Sequence, residues 1–151
     1  ENRDMTSRPQ IRTAARLVLA AVFLGAGVLH LMVPGPFARI TPAWIPQPAL
    51  VVALTGIAEL LGAAGLTIPR LRVAAGWALA AYAVCVYPAN IQHAVNFMTS
   101  GAGLGWAYHG PRLLFQPVIV WWCLWASTAI DWPFRRSQAA ARVPPIRMDR
   151  I

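Results

Sequence analysis

The sequence has no lysine, and its 151 residues include only five acids: Glu1, Asp4, Glu59, Asp131 and Asp149. Charged residues make up 12% of the chain, whereas a soluble domain carries about 25%. The shortage is sharpest in the middle. Between residues 17 and 130 the only charged side chains are Arg39, Glu59, Arg70, Arg72 and Arg112. That scarcity excludes an ordinary soluble globule and a disordered chain. Cysteine is also nearly absent. Cys85 and Cys123 are too few and too far apart for a disulfide framework or a cysteine-rich metal site. What is present is apolar: 58% of residues are hydrophobic, and the mean hydropathy is +0.52. The basic charge is all arginine, 13 residues giving a net +8. These arginines flank apolar runs and form no basic face. They read as topology signals and contacts for anionic lipids through Arg-rich tails, and nucleic acid is not an expected partner.

A helix needs about 20 mostly apolar residues to cross a bilayer core. Four stretches approach this: 17–33, 50–68, 73–93 and 113–130. In lipid the backbone must satisfy its own hydrogen bonds, so these are expected to be helices. The expected fold is an all-α membrane protein, a four-transmembrane-helix bundle with a basic tail at 1–16 and another at 131–151. Pro88 is expected to kink the third span, and the proline-rich stretch from Pro34 to Pro48 reads as turn chemistry. With the N-terminus inside, the inner segments hold Arg3, Arg8, Arg12, Arg16, Arg70, Arg72, Arg135, Arg136, Arg142, Arg147 and Arg150, while the outer loops hold only Arg39 and Arg112. This bias puts both termini in the cytoplasm and the protein in a bacterial inner membrane as a multi-pass chain. The first span follows a basic leader, but no small-x-small cleavage site follows it, so it reads as a retained helix.

Some polar residues stand where lipid would exclude them. Glu59 is central to its span, and a carboxylate there costs roughly 2.5–3.5 kcal/mol on insertion scales. It reads either as a ligand- or proton-binding group or as a structural hydrogen bonder between helices. His30, Asn90, Arg112 and Gln116 all fall in the same half of the bilayer, the outer one. Together they predict a polar pocket floored by Glu59 and roofed by the other four. On straight helices Glu59 lies about 9 Å deeper than His30, so contact requires tilt or a bridging water. No histidine pair has the i, i+4 spacing of a helical metal motif, and no metal site is expected. Cys85 and Cys123 sit about 18 Å and about 10 Å above the inner boundary, too far apart in depth to be bridged. Trp121 and Trp125 share a helix face, either as a plain aromatic stripe or as a surface for a flat ring or a neighbouring subunit.

The ordered set His30, Pro34, Phe37, Ile40, Pro42, Trp44 and Pro46 resembles the first-loop signature of the DoxX-like family of small bacterial membrane proteins. Gly56, Glu59, Leu60, Gly62, Gly65 and Leu66 resemble its second-helix motif. Ala75-Gly76-Trp77 and Tyr87-Pro88-Ala89-Asn90-Ile91 resemble the third helix, and Arg112, Leu113, Phe115 and Gln116 the start of the fourth. The resemblance implies a four-helix bundle and an association with membrane redox partners, without established catalytic residues. The leading functional expectation is an accessory subunit of a larger inner-membrane complex, respiratory or electron-transferring, with other membrane subunits as partners and no enzyme activity of its own. The alternative is a quinone- or lipid-binding oxidoreductase component in which Glu59 exchanges protons. No covalently bound or metal-ligated cofactor is expected. A proton-coupled carrier is disfavoured, because corresponding broken helices are missing.

Overall fold

A computed structural model of the chain describes residues 4–101 and 105–133. Arg3, Arg135, Arg136, Arg142, Arg147 and Arg150, which belong to the expected basic tails, lie outside the described residues. The structure contains α1 (Asp4–Met32), α2 (Pro34–Ile40), α3 (Pro48–Thr67), α4 (Arg72–Ser100) and α5 (Trp106–Ala126). Three segments are long and apolar enough to cross a membrane: Pro9–Met32, Pro48–Thr67 and Arg72–Ser100. α5 has 21 residues, but Tyr108, His109, Arg112 and Gln116 make its first half polar.

Proline explains several boundaries. Pro34 opens α2 and Pro48 opens α3, positions where the missing N–H leaves no hydrogen bond unmade. The first connection is therefore not all turn, as its composition suggests. Its first seven residues coil into α2. Pro88 does not end α4 either. The helix continues beyond His93 to Ser100, because in an apolar medium one lost hydrogen bond costs less than an unwound backbone. It stops at Gly101, whose φ of 65° is easy for glycine and whose N–H reaches the Phe97 carbonyl at 2.9 Å.

The long helices form a ring in which α1 packs on α3, α3 on α4, α4 on α5, and α5 more lightly back on α1. Leu19, Phe23, Leu66, Leu79 and Cys123 fill the centre, with Ala20, Ala63, Ala75, Ala80 and Ala126 between them. Large apolar side chains such as Leu24, Leu54, Leu61, Val84 and Leu114 face outward. This arrangement suits a lipid surround, where helices associate through small residues rather than by escaping water.

Glycine sets the helix separations. A Cβ on Gly27 would lie 2.8 Å from the Gly56 carbonyl, and one on Gly56 would lie 3.0 Å from the His30 Cβ. α1 and α3 thus cross backbone to backbone at this pair. In the same way Gly62 accepts the Leu79 side chain, and Gly76 accepts the Ser127 hydroxyl. Gly25, by contrast, faces open space. Gly27→Ala should therefore destabilise the protein by about 1–3 kcal/mol through forced separation of the helices, while Gly25→Ala should cause no loss. Thermal unfolding of the two variants in the same detergent makes the comparison.

Candidate binding site

The α1–α3 crossing has a chemical result. Side chains lean toward the N-terminus of their own helix. In an antiparallel pair, residues just beyond the crossing on each helix therefore lean back toward it and toward each other. His30 follows Gly27 by one turn, and Glu59 follows Gly56 by one turn. Their side chains meet directly, with His30 Nδ1 2.8 Å from Glu59 Oε2. The separation in depth expected from straight helices is closed by this lean, with no bridging water needed.

Glu59 is buried, 4% exposed, and its two oxygens differ. Oε1 accepts a hydrogen bond from the Tyr82 hydroxyl of α4 at 2.8 Å. Oε2 lies 2.8 Å from His30 Nδ1, and the same nitrogen lies 2.9 Å from the Ala26 carbonyl, so a single imidazole N–H is shared between two acceptors. When that proton goes to Ala26, Oε2 has no other donor among the described residues. The Tyr82 ring packs edge-on against Phe23 of α1, with centroids 6.3 Å apart. The His30 ring lies against Phe37 of α2 at 4.0 Å.

These groups form part of the wall of one cavity of about 690 Å³. Leu19, Phe23, Phe115, Ile119 and Trp122 line its apolar walls, and Phe37, Ile40 and Trp44 close it at the α2 end. All four long helices contribute to its wall. His30, Glu59, Asn90, Arg112 and Gln116 all border it, but they do not act as one group. Asn90 donates to Gln116 Oε1 at 3.1 Å, and Gln116 donates to the Ala83 carbonyl of α4. That pair locks α4 to α5. Arg112 stands nearer the rim, 3.0 Å from His93 Nδ1, with its guanidinium 5.6 Å from the centre of the Tyr108 ring.

Tyr82, the second partner of Glu59, was not among the residues singled out from sequence. A signal for it exists, because Glu59 and Tyr82 lie nearly equidistant from the turn at Ile68–Leu71, as hairpin partners do. His109 is also buried, 1% exposed, with neither ring nitrogen hydrogen-bonded; it stacks on Phe97. Trp121 and Trp125 stack on each other at 5.5 Å and are not part of the cavity wall, whereas Trp122 is. Cys85 is exposed and Cys123 is buried.

The fold and cavity together describe a small all-helical membrane protein with a carboxylate set into its apolar interior. A model of a domain of unknown function, DUF8561, matches residues 19–127, and the chain belongs to that family. No curated protein and no solved structure matches it. The DoxX-like resemblance is thereby corrected, since the family that matches is DUF8561. The resembling residues have local causes that do not define a lineage. Prolines start helices, glycines allow a close crossing, and Asn90 near Pro88 bonds Gln116 across the α4–α5 pair.

Gln116→Ala should strand the Asn90 amide and an Ala83 carbonyl lone pair. A loss of about 1–3 kcal/mol is expected, with the Glu59–His30 contact intact. Chemical denaturation reports the first, and the His30 imidazole NMR signals report the second.

Proposed function

We propose that this chain is a membrane-embedded binding protein for an apolar molecule with a hydrogen-bonding head, of the quinone or lipid class. The observation that carries the reading is Glu59 Oε2, a buried carboxylate oxygen in the wall of a large apolar cavity, whose one neighbouring donor, His30 Nδ1, is shared with the Ala26 carbonyl. A buried polar atom left unpaired costs about 1–3 kcal/mol, and more when charged. A ligand head removes that cost. The ionised carboxylate accepts from a ligand hydroxyl. The protonated acid donates to a ligand carbonyl. One atom thus serves both forms of a quinone–quinol couple, which favours a quinone within this class. His30 at 2.8 Å offers the route by which Glu59 gains or loses the proton.

In this reading α5 is the fourth crossing, both termini are cytoplasmic, and the membrane is a bacterial inner membrane. The arginine distribution supports that orientation. Reporter fusions should place the C-terminus and the α3–α4 turn on the cytoplasmic side and the α2 segment on the other. A C-terminus found opposite the α3–α4 turn would leave the chain with an odd number of crossings and remove α5 from the count.

A second reading is an accessory subunit of an electron-transferring complex. Its support is the outward-facing small pair Ala21 and Gly25, which leaves a shallow groove on α1. Other small residues make their close approaches inside the chain, at Gly27, Gly56, Gly62 and Gly76. The binding reading therefore stands first.

The two are separated by titrating the detergent-solubilised chain with a short-chain ubiquinone analogue and following tryptophan quenching. Glu59→Gln keeps the shape and one acceptor but loses the exchangeable charge. It should weaken binding at least tenfold, whereas Gly25→Leu should leave binding unchanged. Equal affinity in wild type and Glu59→Gln would sink the binding reading.

A further inference from the structure

The end of the bundle opposite α2 carries a second cluster that the cavity does not explain. Arg12 and Arg16 lie one turn apart on α1, and Arg72 is the first residue of α4. Arg16 is only 8% exposed. Its described hydrogen bond goes to Thr13 Oγ1 at a long 3.2 Å, and it lies within the fields of both Arg72 and Arg12. Arg72 Nε is buried with no hydrogen-bond partner. Among the side chains described at this end, the carboxylate is Asp131, already engaged by Arg12 at 2.8 Å. Arg12 also donates to the Ile130 carbonyl at 2.9 Å and lies over the Trp125 ring at 5.1 Å. Three cations therefore share one anion, and the two that it does not touch, Arg16 and Arg72, retain unused donors.

The backbone adds to the imbalance. α4 starts here with no acidic residue in its first turn and no capping side chain. Its free N–H groups and positive dipole end face the same region. A buried guanidinium in the field of a second cation is costly unless an anion offsets the charge. A tetrahedral oxyanion meets the need, because its oxygens accept the planar forks of two arginines in separate directions.

We propose that Arg16, Arg72 and the first turn of α4 form a site for one phosphate-class anion, supplied as a phospholipid headgroup or as free inorganic phosphate. Ile68, Leu71, Val73 and Trp77 are exposed beside it. They give acyl chains a surface to lie along, which favours the lipid source. The site is separate from the Glu59 cavity and independent of the function proposed for it.

The test uses the full chain reconstituted in vesicles of phosphatidylcholine alone or of phosphatidylcholine with a minority of phosphatidylglycerol. Native mass spectrometry then counts retained lipid after gentle extraction. In a second arm, lipid-stripped protein is titrated with inorganic phosphate against sodium chloride at equal ionic strength, with thermal midpoint as the readout. Retention of one phosphatidylglycerol per chain supports a headgroup site. A saturable rise of the midpoint with phosphate, without lipid retention, supports a free-ion site. In either case Arg16→Gln and Arg72→Gln should each weaken the signal about tenfold, while Arg39→Gln, on α2, leaves it unchanged. Arg16→Lys, which keeps the charge and loses the fork, should fall between if Arg16→Gln does not fold. The proposal is overturned by wild-type protein that shows neither lipid preference nor a phosphate-specific shift. Undiminished binding in both Arg72→Gln and the usable Arg16 variant overturns it equally.

Discussion

The crossing of α1 and α3 at Gly27 and Gly56 is the contact on which the site depends. Two backbones approach closely because neither residue has a side chain. The approach brings His30 and Glu59, one turn beyond on opposed helices, into direct contact. A bulkier residue at either glycine would move the helices apart and with them the imidazole and the carboxylate. The hydrogen bond from Tyr82 then fixes Glu59 from a third helix. The acid is held by α1, α3 and α4 together, and α5 supplies the far wall of the cavity that it faces.

Energetically, the molecule is built in reverse of a water-soluble bundle. Its packed centre is largely alanine and glycine with a few leucines, and many of its large apolar side chains point outward. Only 28%, 39% and 33% of the most apolar windows of α1, α3 and α4 are buried within the chain. Helices that gain little by hiding from lipid must associate through close fit and hydrogen bonds. The Gly62–Leu79 and Gly76–Ser127 fits, and the chain from Asn90 through Gln116 to Ala83, supply both.

Much of this was legible before any coordinates, for physical reasons. Apolar run length marks helices in a nearly charge-free chain, and Glu59 stands out because lipid penalises charge. His30, Asn90, Arg112 and Gln116 stand out on the same ground, and they border one cavity. What composition does not carry is pairing. Tyr82 is unremarkable in an apolar helix until the hairpin is folded about its turn, which sets it beside Glu59. The next hairpin, of α4 and α5, likewise brings Asn90 to Gln116 and His93 to Arg112. α2 was missed because proline marks turns and helix starts alike, and only the residues after it decide which. The family resemblance failed for a related reason, since motifs built from glycine, proline and a lone acid report local geometry that many unrelated helical hairpins share.

α2 itself has a consequence for the cavity. None of its seven residues is buried, yet Phe37 covers His30 and Ile40 helps close the chamber. A cap that hides so little of itself surrenders little when it swings away. The remaining walls belong to helices pinned by backbone contact and interlocked amides. Of the walls around the acid, this short coil is therefore the one held by the least packing, and the rest form a fixed frame.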